Sequence, residues 1–74
     1  TKLNRHQEAL ECVNQALNMN PMDSQLYMAK SGVFQHQLRL DLAIDALDEG
    51  LRYLPDDSYL LSSKANLIRR VRAN

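Results

Sequence analysis

Pro21-Met22-Asp23-Ser24-Gln25-Leu26 returns 34 residues later as Pro55-Asp56-Asp57-Ser58-Tyr59-Leu60, and the surrounding chain returns with it. In the same register Arg5 falls on Arg39, Ala9 on Ala43, Leu17 on Leu51 and Lys30 on Lys64. Together with the prolines, Asp23, Ser24 and Leu26, these make eight identities. Conservative pairs fill much of the remainder: Leu10 with Ile44, Glu11 with Asp45, Val13 with Leu47, Ala16 with Gly50 and Phe34 with Ile68. A self-match at this period is the signature of a stacked helical array, in which each unit buries its apolar face only against its neighbours. The expected fold class is all-α.

Each proline closes one helix, and the polar residue behind it opens the next. Asn4 is expected to cap a first helix beginning at Arg5, with Gln7 completing a capping-box-like start. Ala9, Leu10, Val13, Ala16 and Leu17 recur at helical spacing up to about Met19. Asp23 or Ser24 caps a second helix reaching about Gln37, with Leu26, Tyr27, Lys30, Ser31, Val33 and Phe34 inward. A third runs from Leu40 or Asp41 to Tyr53, turning in Ala43, Ile44, Leu47, Gly50, Leu51 and Leu54. Asp57 or Ser58 caps the fourth, whose stripe is Leu60, Leu61, Ala65, Leu67, Ile68 and Val71. Four helices with short connections predict antiparallel neighbours. Ala9, Ala16, Ser31, Ala43, Gly50 and Ala65 fall where helices must approach closely. A glycine inside a helix costs about 1 kcal/mol relative to alanine, so Gly50 points to a tight crossing.

With these residues in place, the chain resembles the tetratricopeptide repeat family. The matching strings are Glu8-Ala9-Leu10 with Ala16-Leu17-Asn18-Met19-Asn20-Pro21, and Leu42-Ala43-Ile44-Asp45 with Gly50-Leu51-Arg52-Tyr53-Leu54-Pro55. Tyr27, Ser31, Phe34, Ala43, Gly50 and Pro55 match the family's pattern in the middle unit. The resemblance implies pairs of antiparallel helices, A and B, stacked into a right-handed superhelical solenoid with a concave groove. In that phase the chain reads B-A-B-A: one complete repeat at about 24–57, flanked by partial repeats 1–23 and 58–74. Two departures stand out. The turn after helix A commonly carries glycine, but Leu38 stands there. A branched residue in the left-handed conformation costs roughly 1–2 kcal/mol, so the turn is expected to be built differently. Lys30 and Lys64 also replace a usual apolar residue on helix A.

At 74 residues and 8.5 kDa the chain is one thin domain, whose core supplies roughly 3–5 kcal/mol. Apolar residues make up 45% of it, which places it among globular chains. No apolar run has the length of a membrane span, and the start at Thr1 rather than Met fits a piece of a longer polypeptide. Cys12, the only cysteine, requires no oxidising compartment, so the cytoplasm is the default expectation. Cys12 is expected to face a neighbouring helix as a small apolar group. Net charge is zero overall but uneven. Residues 38–57 carry −4, through Asp41, Asp45, Asp48, Glu49, Asp56 and Asp57 against Arg39 and Arg52. Residues 58–74 carry +4, through Lys64, Arg69, Arg70 and Arg72.

The resemblance implies a protein or peptide partner held by outward positions of the A helices. These are Gln25, Met28, Gly32, Gln35 and His36 on one helix and Tyr59, Ser62, Asn66, Arg69 and Arg70 on the next. Gly32 would leave a gap in the groove floor, and Met28 beside Tyr59 offers an adaptable apolar contact. Asn66 and Arg69 suit a peptide backbone or carboxylate. The family's subclass that clamps chaperone C-termini is disfavoured, because only Asn66 coincides with its arrangement. An alternative function is self-association or assembly, in which Leu67, Ile68 and Val71, left uncovered at the end of the last helix, stack onto another copy or onto the rest of a longer array. Nucleic acid is disfavoured, since no aromatic interleaves with Arg69, Arg70 and Arg72, and cations in a last turn already oppose the helix dipole. Those arginines are expected to pair with the acidic helix, in the same array or in a second copy. No catalytic constellation, metal site or cofactor motif is legible, and His6 is expected to pack or hydrogen-bond locally.

Overall fold

The computed structural model describes residues 2–73, with side chains from residue 5 onward. Four helices follow one another: α1 (Lys2–Met19), α2 (Ser24–His36), α3 (Leu40–Tyr53) and α4 (Ser58–Ala73). No strand is present among the described residues. Aspartate is the cap at both repeat positions. Asp23 Oδ1 accepts from the Gln25 amide at 3.0 Å and Asp57 Oδ1 from the Leu60 amide at 3.1 Å, each worth about 0.5–2 kcal/mol against alanine. α1 starts at Lys2, three residues before Arg5, since no proline or glycine interrupts the backbone there. The expected Asn4 cap is corrected: Asn4 lies within α1, past its first residue, so it does not cap the helix.

The turn between α2 and α3 overturns the expectation about Leu38. Its φ is 60°, so a leucine occupies the left-handed position itself. Arg39 N donates to Phe34 O at 2.9 Å and Leu38 N to Gln35 O at 3.0 Å, the paired bonds of a Schellman C-terminus. These bonds satisfy carbonyls that the helix end leaves open, and the side chain extends into solvent at 87% exposure. The steric cost of the leucine is accepted there because the bond pattern leaves the backbone one conformation.

Neighbouring helices run antiparallel, as the cross-helix pairs show. Tyr27 meets Gly50 and Tyr53, while Lys30 meets Glu49 on α3. Gly50 and Leu60 meet across α3 and α4, as do Asp48 and Lys64. α3 lies between α2 and α4, and α2 also touches α4; among the described residues α1 touches α2 alone. The core is Leu17, Tyr27, Ala43, Leu47, Leu60 and Leu67, with Val13, Leu26, Phe34, Leu40, Ile44, Leu51 and Leu54 packed around it. A Cβ added at Gly50 would stand 2.7 Å from Tyr27 Cγ and 3.0 Å from Leu60 Cδ1. The glycine lets both neighbours approach α3 at one point. Tyr27 lies flat in that space, and its hydroxyl donates to Pro21 O at 2.6 Å.

Lys30 and Lys64 resolve the second departure. Each lays its aliphatic stem along the interface and brings Nζ to an acid on α3. Lys30 reaches Glu49 Oε2 at 3.2 Å, and Lys64 reaches Asp48 Oδ1. Neutral Asn14 and Gln15 stand at the corresponding places of α1, so α3 alone receives both lysines.

The expected stripes need correction at three places. Ala46 is buried although it was not among the expected inward residues. Leu61, Ala65 and Val71 were expected inward on α4 and are exposed, because among the described residues α4 has neighbours only in α2 and α3. Cys12 is exposed rather than facing a helix, since α1 meets α2 on one side only.

Candidate functional site

α2 and α4 run parallel, because residues near their starts meet and residues near their ends meet. Gln25 and Met28 share a cleft of about 350 Å³ with Tyr59 and Ser24. Eleven residues further along α4, Arg70 Nη1 donates to Gln35 Oε1 on α2 at 3.2 Å. The spacing places Met28, Gly32 and Gln35 on one face of α2. The same rule places Tyr59, Ser63, Asn66 and Arg70 on one face of α4. The face between the two rows, called the trough below, carries a separate cleft near each end.

At the far end of the trough, Gln35, Ser63, Asn66, Leu67, Arg69 and Arg70 surround an open cleft of about 460 Å³. Its polar groups are tied together. Arg69 Nη2 donates to Asn66 Oδ1 at 2.8 Å, and Gln35 Nε2 donates to Ser31 Oγ at 3.4 Å. Each guanidinium commits one N–H to an amide oxygen and keeps the others as donors. Between the two clefts lies Gly32, where an added Cβ would meet nothing within 4 Å. The gap expected in the floor is open space.

The structure brings together Gln25, Met28 and Tyr59 at one end and Gln35, Asn66, Arg69 and Arg70 at the other. It does not bring His36, which turns to the opposite side. His36 stacks on His6 of α1, centroids 6.3 Å apart, in a cleft shared with Phe34, Gln37, Arg39 and Leu42. Ser62 is exposed and lines neither cleft; Ser63 does, as the four-three-four spacing from Tyr59 through Asn66 to Arg70 indicates. Ser24 and Leu67 complete the linings and were not among the expected groove residues. Of the expected self-association residues, Leu67 is buried at 3% exposure in the core, Ile68 is half-buried, and Val71 alone is largely exposed. Leu67 is therefore no part of an uncovered face.

Electrostatics divide the surface. Asp48 and Glu49 are engaged by lysines, and among the described residues no arginine of α4 forms an ion pair with the acidic helix. Arg69 and Arg70 bond to side-chain amides instead. Asp45, Asp48, Glu49, Arg52 and Tyr53 edge a separate open cleft on α3. Among the described residues no three His, Cys, Asp or Glu side chains are grouped to hold a metal ion, and no helix is long and apolar enough to cross a membrane. Among the described residues the one shifted ionisation lies in the core rather than in a cleft. Burial first, then Glu49 and Tyr53, pushes the Tyr27 hydroxyl above the usual phenol range.

Comparison with protein-family profiles, curated proteins and solved structures finds no match to this chain.

Proposed function

We propose that the chain is a non-catalytic interaction module, a tetratricopeptide-like helical array that holds a peptide or protein segment along the α2–α4 trough. The observation that carries this reading is the face on which two parallel helices present matched rows, apolar at one end and rich in donors at the other. α2 touches α4 directly, while α1 and α3 stand apart, which bends the layer toward the trough side. Met28 and Tyr59 offer contact area with adaptable shape. Asn66, Arg69 and Arg70 offer donors suited to carbonyl and carboxylate oxygens. Met28 and Gln35 are separated by about 10 Å of helix, enough for about three residues of extended ligand. Gly32 leaves room there for a backbone to come close.

The test is selection from a displayed random-peptide library, followed by affinity measurement with Asn66→Ala/Arg69→Ala. Both residues are exposed, so helicity by circular dichroism is expected to stay the same. Affinity is expected to fall at least about tenfold, the effect of losing one charge-assisted hydrogen bond. Selected peptides that bind the double variant equally well remove the trough from the reading.

A further inference from the structure

We infer that α4 and α1 are the two halves of a head-to-tail contact between copies of this chain. In that contact α1 of a second copy sits on α4 in the register that α3 takes on α2. This contact is separate from the trough and uses another side of α4. The template is the internal repeat, for moving 34 residues converts the α2–α3 interface into an α4–α1 interface.

Positions buried in the first become exposed in the second. Tyr27 is 1% exposed, and its counterpart Leu61 is 48% exposed. Ser31 and Ala46 are buried, while their counterparts Ala65 and Cys12 are exposed. Tyr53, stacked on Tyr27, corresponds to Met19, which is 88% exposed. Leu61 and Met19 are thus large apolar side chains left in water whose counterparts, the buried Tyr27 and the half-exposed Tyr53, stack on each other within the molecule.

Size and charge commit the occupant to a second copy rather than to any apolar helix. In the template a large ring opposes no side chain, since Tyr27 fills the space that a Cβ at Gly50 would enter. In the proposed contact Leu61 opposes Ala16 of the second copy. The ring shrinks to a branched aliphatic where the hydrogen grows to a methyl, so the volumes compensate. Lys64 would meet Gln15 of the second copy, a neutral residue, and Lys64 is already paired with Asp48. Leu42, which shares a cleft with Phe34 and Arg39, is replaced by Glu8. In the proposed contact that carboxylate would lie by the last turn of α4, which carries Arg70 and Arg72. The contact also continues the alternation of α2, α3 and α4 without a change of geometry.

Such a contact is heterologous and leaves one α4 and one α1 free on each dimer. A single helix-on-helix interface lies at the weak end of specific contacts, below about 1,200 Å² in total. Sedimentation equilibrium of the full chain up to about 1 mM reads it. Mass is expected to rise past the dimer without a plateau. Leu61→Glu and Met19→Glu alter exposed residues on opposite ends, so each is expected to stay helical and monomeric. Mixed together they are expected to form a one-to-one heterodimer that grows no further, because each variant keeps the face the other has lost. Labelling of Cys12 by a thiol reagent is expected to slow as concentration rises. A wild-type chain that remains monomeric throughout overturns the proposal. So does a Met19→Glu variant that still dimerises, which marks an α4–α4 contact, or a mixture that fails to associate.

Discussion

Gly50 and Gly32 belong to neighbouring helices and carry the same penalty in helix formation, yet one stands in the tightest contact of the molecule and the other in open space. At Gly50 the missing side chain lets Tyr27 and Leu60 reach the α3 backbone, and burial of the two offsets the glycine's cost. At Gly32 nothing approaches within 4 Å, so packing within the chain gives nothing in return. The contrast separates the α2–α3 crossing, where composition serves cohesion, from the α2–α4 trough, where it leaves room. A glycine that stabilises nothing in its own chain is where a binding reading gains weight.

The strongest way to break the comparison is at Gly50. Gly50→Ala is expected to destabilise by about 1–3 kcal/mol through overpacking against Tyr27, a large share of the whole for a domain this small. Thermal unfolding reads it, at roughly 4–8 °C per kcal/mol. Adding Tyr27→Leu reproduces the Ala16 and Leu61 pair of the repeat. It is expected to recover part of the loss, and strict additivity of the two changes would contradict a shared contact.

Next in size, Tyr27→Phe removes the hydroxyl that donates to Pro21 O and is expected to cost about 1 kcal/mol. Because the folded-state pKa of Tyr27 is raised, its contribution is complete below the ordinary phenol value of about 10. It is lost as pH climbs from there through the raised folded value. Denaturant titrations across that range are expected to show wild type losing stability faster than the phenylalanine variant.

Leu38→Gly relieves the left-handed leucine and is expected to stabilise by about 1 kcal/mol, less than the full steric term because glycine brings its own entropy. A loss of stability there would mean that the exposed leucine makes a contact of its own. The smallest effect sharpens the comparison from the other side. Gly32→Ala is expected to stabilise by about 0.5–1 kcal/mol, since its methyl meets only space, while weakening capture of a trough peptide. Improved stability with unchanged capture would detach Gly32 from binding.

Spacing made each row of the candidate site legible. Met28 and Gln35 share a face of α2, and Tyr59, Asn66 and Arg70 a face of α4, because their intervals within each helix follow the helical period. His36 misled because it lies in the last turn of α2, where one residue of rotation decides between the trough and α1; its stacking on His6 joins residues far apart in the chain. Leu67 misled because its apolar character marks burial without saying which neighbour supplies it. Leu38 was legible as the residue standing where the resemblance puts glycine, but the turn was expected to be built differently. The left-handed φ and the two bonds that close the end of α2 around it are visible only in the structure.

The amino-acid sequence by itself determined the period, the four helices, the Asp-Ser pairs that cap α2 and α4, and the close approach at Gly50. Prolines, caps and apolar spacing act within a turn or two of chain, and the repeat displays them twice. Only the tertiary structure decided which side of each helix is covered and which acids the lysines hold. It alone placed Leu61, Met19 and Cys12 in solvent while their repeat counterparts are more enclosed. Burial is a property of neighbours, and identical positions in a repeat acquire different surroundings when one lies inside the stack and the other at its edge.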